Sequence, residues 1–256
     1  VSITGQKDCP VLISNAPLYA ELRETAVEAN AKYAPIIGVN QASSVTCTKP
    51  SGTAGILATA TSGIKYPFSE YYVRRVRFST TDPLVDLIQK HKLLPIDPEL
   101  YQVNSGLPLD TMVVSFAMCS PSIQHGWDIT DPAWAPHGDL FNKSAVEQLE
   151  DFLLVSGNFT EHNVSLTINM KPDEIPAARE FVVDHFNQIR GVAFLTESNH
   201  YLQMPLEKIT REQYLDLKSR ENLEGNYHLL CQTPLRHSAS QQSWACSGDS
   251  CELVVS

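Results

Sequence analysis

The sequence predicts an α/β fold, and three observations predict it. Candidate strands alternate with candidate helices along the 256 residues, helix-capping residues stand where the hydrophobic period changes, and no internal repeat is present. At 43% hydrophobic and 19% charged, the chain has the composition of a folded domain rather than a disordered tail or linker. Strands separated by helices ask for parallel pairing, which leaves a closed barrel and an open sheet both available.

Taken in order, residues 17–34 read as a helix and residues 44–49 as a strand. A glycine-containing turn then leads into a small-residue helix near 53–61. YYVRRVRF at 71–78 is rich in β-formers, and Asp82-Pro83 supplies an N-cap and a first-turn proline for a helix reaching about His91. MVVSFAM at 112–118 reads as a strand, and the Pro-, Gly-, Trp- and Asp-containing stretch 120–142 as a long loop. Within 144–155, Val146, Leu149, Leu153 and Leu154 fall on one helical face. NVSLTINM at 163–170 alternates as a half-buried strand. A helix over about 174–189 presents Ile175, Ala178, Phe181, Val182, Phe186 and Ile189, and Gly191 introduces the strand VAFLT. Thr210 and Gln213 form a capping box that opens a last helix. From about residue 222 the periodicity is lost, and 232–245 reads as a polar tether.

Length and charge exclude several classes. A chain of this size buries roughly 70–75% of its unfolded surface, enough for one large domain or two small ones. Nineteen basic against 29 acidic side chains give a net charge of -10, which argues against broad binding to nucleic acid or anionic membranes. A single phosphate is still within reach, because backbone amides at a helix start suffice for it. No apolar run reaches the roughly 18 residues of a membrane span. Residues 1–20 show no secretory signal, so the cytoplasm is the expected compartment. The start at Val1 rather than Met suggests a processed or partial product. The Asn-x-Ser/Thr triplets at Asn142, Asn158 and Asn163 are then expected to be chance matches. Six cysteines are too sparse for a disulfide scaffold.

Two motifs carry chemistry. The first is Lys49-Pro50-Ser51-Gly52-Thr53, between a predicted strand and a predicted helix. A helix start exposes unpaired N–H groups and partial positive charge; Gly52 permits close backbone approach, and Ser51 and Thr53 offer hydroxyls. The plainer account is an ordinary helix start, since Ser and Thr favour such positions anyway. The spacing of a Walker loop is absent. The second is Cys246-Ser-Gly-Asp-Ser-Cys251, at the end of the polar stretch. Four small or polar residues let two thiols close into a disulfide, and an exposed pair on a mobile end is suited to exchange; two unrelated surface thiols are the alternative. Zinc is disfavoured, as neither a second cysteine pair nor a closely spaced histidine pair accompanies them. Arg74, Arg75 and Arg77 form a basic cluster that reads as a solvated face or a surface for an acidic partner. The eight histidines are scattered, and the hydrolase elbow G-x-S-x-G does not occur.

Together, VTCTKPSGT (45–53), SGIKYPFSEYYVRRVRFSTTDPL (62–84), AVEQLEDFLL (145–154), EHNVSLTINMKPDE (161–174), GVAFLTESNH (191–200) and the final C-x4-C resemble the C-terminal portion of ribonucleotide reductases. The pattern is similar to that of the monomeric, adenosylcobalamin-dependent (class II) ribonucleoside-triphosphate reductases. The resemblance implies a ten-stranded α/β barrel around a finger loop, of which this chain would be the C-terminal half. It implies thiyl-radical reduction of ribonucleoside triphosphates, with adenosylcobalamin as radical source and a thioredoxin-like reductant. It makes Pro50, Ser51, Gly52, Thr53 and Ala54 the substrate-phosphate turn, and Cys246 and Cys251 the tail dithiol that re-reduces the active site. Residues 1–221 would then be barrel and 222–256 a flexible redox-active tail.

The departures from the family pattern are specific. The finger-loop Asn-x-Cys-x-Glu is absent, and in the family it lies upstream of the Lys-Pro-Ser-Gly-Thr turn, which only 48 residues precede here. Phe194-Leu195 stand where the class fed by a second subunit carries a Tyr-Tyr pair, and the C-terminal glycine loop of the glycyl-radical class is not found. The chain is therefore expected to be a C-terminal fragment or one piece of a split reductase, inactive alone and partnered by the missing N-terminal part. The rival expectation is a non-catalytic nucleotide-binding or assembly module left from such a reductase.

Overall fold

The computed structural model describes residues 1–51, 55, 58–128, 131–196, 202–232, 243–247 and 250–254. In chain order the elements begin with β1 (Ser2–Ile3), α1 (Ala16–Tyr33), β2 (Cys47–Thr48), β3 (Tyr71–Ser79), α2 (Pro83–His91) and β4 (Ile96–Pro98). They continue with α3 (Leu100–Asn104), β5 (Thr111–Cys119), α4 (Pro121–Gln124), α5 (Ala145–Asn158), β6 (Thr167–Met170) and α6 (Ile175–Asp184). The remainder is β7 (Ala193–Thr196), β8 (Leu206–Lys208), α7 (Arg211–Ser219), α8 (Tyr227–Gln232), β9 (Ser243–Ser247) and β10 (Ser250–Val254). The chain forms two compact units, 1–74 with 117–215 and 75–116 with 216–256.

The mixed α/β class is as expected, but the pairing is mixed rather than parallel throughout. β1 runs parallel to β2, and β6 parallel to β7 with α6 as the crossover between them. β3–β8, β4–β5 and β9–β10 are antiparallel. Link length explains the hairpin case: β9 and β10 are separated by two residues, too few for a parallel return. The described strands close no barrel.

In the first unit, α5 is the axis of the core. Ser144 caps it by accepting from the Glu147 N–H, and Glu147 answers by accepting from the Ser144 N–H at 2.8 Å. Its buried face is Ala145, Leu149, Phe152 and Val155, packed with Tyr19 of α1, Ile64, Phe159 and Ile168 of β6. That spacing of four, three and three is one helical stripe. It is rotated from the face expected from sequence: Val146, Leu153 and Leu154 are only half-buried, and Asp151 is buried instead. Gln148 ties α5 to β6, its amide donating to the Asn169 carbonyl at 2.8 Å and its oxygen accepting from the Asn169 N–H at 3.2 Å.

In the second unit, β5 lies between β4 and β3. Asp82 accepts from the Leu84 N–H at 2.9 Å and opens α2 as expected. The core is Ile88, Leu93, Leu94 and Val114, joined by Leu223, Leu229 and Leu230. The Asn222 N–H donates to the Leu93 carbonyl at 2.8 Å, and α8 follows α7, a helix beyond the last one that the sequence predicts. Three leucines in so short a stretch are too few to produce a legible period.

Candidate functional site

The phosphate-turn candidate is built from the ends of two short parallel strands. The Cys47 N–H donates to the Val1 carbonyl and the Lys49 N–H to the Ile3 carbonyl, so the chain leaves β2 beside residue 4. The Ser51 N–H folds back to the Lys49 carbonyl at 2.8 Å, a three-residue turn centred on Pro50, whose fixed φ suits it. Lys49 and Pro50 are exposed, while Ser51 is buried with its Oγ 2.7 Å from Thr4 Oγ1. Thr4 Oγ1 also accepts from the Gly63 N–H at 2.9 Å and donates to the Thr61 carbonyl at 3.3 Å. A hydroxyl has one proton, so with Thr4 donating to Thr61, Ser51 is the donor to Thr4. Gly52, Thr53 and Ala54, with residues 56 and 57, lie outside the described residues; of the helix expected near 53–61, residues 58–61 are turn and irregular backbone instead. Gly55 is helical and buried, and a Cβ built on it would stand 2.7 Å from Ser51 Oγ.

Residues 4–8 clamp the far side of this loop. The Gly5 N–H donates to the Thr61 carbonyl at 2.9 Å and the Gln6 N–H to the Gly63 carbonyl at 3.2 Å. Asp8 accepts from both the N–H and the hydroxyl of Thr61, at 2.6 and 3.0 Å. Burial holds the Asp8 carboxyl above the usual carboxylate range, while the two Thr61 bonds pull the other way. Gly5 has φ 71°, the left-handed region that an L side chain enters only with strain.

Beneath the clamp is a buried ionic cluster that the sequence did not announce. Lys7, 2% exposed, forms an ion pair with Asp151, 6% exposed, and its ammonium lies 4.7 Å from the centre of the Tyr66 ring. The Tyr66 hydroxyl hydrogen-bonds Asp151, and burial, followed by that carboxylate, raises its pKa. Tyr19 donates to Gln6 Oε1 at 3.1 Å, and Gln6 Nε2 donates to Thr48 Oγ1 at 3.2 Å. Desolvation lowers the Lys7 pKa and Asp151 opposes it. Charged residues are rarely buried unless paired, and no spacing connects positions 7 and 151, so only the fold reveals the pair.

The second candidate sits in the β9–β10 hairpin. The backbone register sets Cys246 directly opposite Cys251. Directly opposed residues of an antiparallel pair have Cα atoms about 4.5–5.5 Å apart, inside the range of about 4.4–6.8 Å that a disulfide bridges. The polar stretch before them, 233–242, lies outside the described residues. Of the Arg74, Arg75 and Arg77 cluster, Arg77 donates to Glu99 Oε1 at 2.7 Å, so its charge is answered within the protein. Among the described residues, no cluster of His, Cys, Asp or Glu is arranged to hold a metal ion, and no helix is long and apolar enough to cross a membrane.

Comparison with known proteins converges on one kind of enzyme. The adenosylcobalamin-dependent ribonucleoside-triphosphate reductase of Euglena gracilis is 31% identical over 182 residues, 69% of this chain and 22% of that protein. The chain resembles one quarter of such a reductase. A probable adenosylcobalamin-dependent ribonucleoside-triphosphate reductase of Dictyostelium discoideum is 27% identical over 235 residues, 89% of this chain and 27% of its own length. The enzyme of that name from Levilactobacillus brevis is 26% identical over 201 residues, 78% of this chain and 25% of its own length. The crystal structure of a B12-dependent (class II) ribonucleotide reductase superposes with a TM-score of 0.63 at 23% identity, covering 84% of this chain and 28% of that one. That likeness shows the shared fold. No protein-family model matches the chain.

Proposed function

We propose that this chain contributes the substrate-phosphate turn and the re-reducing dithiol to an adenosylcobalamin-dependent ribonucleoside-triphosphate reductase, acting in the cytoplasm with the remaining three quarters of such an enzyme. The observation that carries the reading is the similarity to the reductases of three distant organisms over 69–89% of the chain. Two local features support it: the clamped turn ending at Ser51, and the opposed register of Cys246 and Cys251.

In this reading the phosphates of a ribonucleoside triphosphate meet the backbone of Gly52, Thr53 and Ala54. Ser51, fixed through Thr4, holds the entrance of that turn in place. Re-reduction is thiol–disulfide exchange. One thiolate of the Cys246/Cys251 pair attacks the active-site disulfide left by turnover, forming a mixed disulfide. The second then displaces the remaining active-site thiolate and closes the 246–251 bond. A thioredoxin-like dithiol returns the pair to its reduced state and leaves as a disulfide.

Adenosylcobalamin would supply the radical that starts the reaction. The two clefts lined by Lys208 measure about 60 and 420 Å³. The cofactor belongs to the remainder of the enzyme in this reading.

Replacing Gly52 by Val in the complete enzyme is expected to weaken triphosphate binding at least tenfold while leaving the melting temperature nearly unchanged. Unchanged affinity overturns the phosphate assignment. The chain alone, given triphosphate, adenosylcobalamin and dithiothreitol, is expected to show no turnover, because Asn-x-Cys-x-Glu is absent from it.

A further inference from the structure

Lys65 is half-buried, and no carboxylate among the described residues pairs with it. It lines a narrow cleft of about 60 Å³, whose lining also holds Lys143, Lys171 and Lys208 against a single acid, Glu174. That acid is already engaged, accepting from the N–H groups of Lys171 and Ala145, and Lys143 is paired with Glu147. The side-chain amide of Asn169, at the end of β6, has no protein partner among the described residues and completes the polar wall. In a chain of net charge -10, the lining of this cleft carries four lysines and one carboxylate.

We propose that this cleft binds the phosphate group of a phosphorylated small molecule. Size agrees: at roughly 12 Å³ per water, the neck has room for about five waters, and a phosphate has five heavy atoms. The neck shares Phe68, Phe141 and Lys208 with a wider groove of about 420 Å³, which takes the organic part. A half-buried ammonium without an anion carries a desolvation cost, which burial registers as a lowered Lys65 pKa; an entering phosphate removes that cost. The assignment stands whether or not the Ser51 turn holds a phosphate.

Calorimetric titration of the 256-residue chain with inorganic pyrophosphate and with ADP tests it. Both are expected to bind saturably, ADP at least as tightly because the groove accepts its nucleoside. Lys65→Gln with Lys171→Gln should weaken both at least tenfold, and Lys65→Arg should largely retain binding. Unaltered melting of the Lys65→Gln chain confirms that lost binding is not lost folding. No saturable binding at millimolar concentrations, exclusion of ADP, or equal affinity in the double variant overturns the proposal.

Discussion

Lys7 and Lys65 lie in the same unit, and burial lowers the pKa of both. Lys7 sits on the floor of the clamped turn with Asp151 against it and Tyr66 over it. Lys65 lines a cleft with no acid of its own. The difference separates two uses of a desolvated cation. A charge answered from inside fastens structure, here the segment 4–8 that clamps Thr61 and Gly63. A charge left unanswered at a cleft wall is available to an anion from outside.

The largest effect expected from that contrast comes at Asp151. Asp151→Ala leaves Lys7 buried and unpaired, and should cost about 3–5 kcal/mol, read by denaturant unfolding. The double change Lys7→Met with Asp151→Leu removes both charges and should restore most of that loss. A double variant as unstable as the single one would mean that the pair is needed for more than mutual neutralisation.

Gly55→Ala is next. Its Cβ would meet Ser51 Oγ at 2.7 Å and the Ala60 carbonyl at 3.2 Å, and Ser51 is held by Thr4. A loss of about 1–3 kcal/mol is expected, with weakened nucleotide binding in the complete enzyme. Neutral behaviour in both assays would show the turn to be looser than its bonds imply.

Acid titration sharpens the picture at the cap of α5. Bonds from the Ser144 N–H first, then from Lys143 and the Ser144 hydroxyl, hold the Glu147 carboxyl down to about 2, against 4.5 when unfolded. A depressed carboxyl contributes stability that is present above pH 4.5 and lost as pH falls toward 2. Glu147 is largely exposed, so solvent screening limits the contribution to no more than about 1 kcal/mol. Glu147→Gln should flatten that part of the stability curve and leave pH 7 behaviour slightly weaker.

The smallest effect, with the opposite sign to Asp151→Ala, is expected at Lys65. Lys65→Met should fall within about 0.5 kcal/mol of the parent or be slightly more stable, because it removes an unanswered charge. A loss comparable to that of Asp151→Ala would reveal an internal partner for Lys65 and remove the contrast.

Much of the architecture was legible because it is local. Asp82 and the Thr210/Gln213 box each mark a helix start within four residues, and both helices begin there. The strand read over 44–49 shrinks to Cys47–Thr48 because its partner, β1, is two residues long. The strand read over 163–170 narrows to Thr167–Met170 for the matching reason, since β7 offers four residues. Helix 174–189 stops at Asp184, where His185 leaves the helical backbone. The turn at 50–54 and the Cys246/Cys251 pair could be singled out as chemistry because their residue types are contiguous. Lys7, Asp151 and Lys65 could not, since their meaning lies in burial and in neighbours distant along the chain.

The measurement closest to the central claim is reconstitution. The chain would be combined with the complementary portion of a related reductase carrying Asn-x-Cys-x-Glu, and deoxyribonucleotide formation followed with adenosylcobalamin and either thioredoxin or dithiothreitol. The account predicts turnover with both reductants, and Cys246→Ser with Cys251→Ser abolishing the thioredoxin-driven rate while sparing most of the dithiothreitol-driven one. Equal thioredoxin-driven rates with and without the two cysteines, or full turnover by the chain alone, would contradict it.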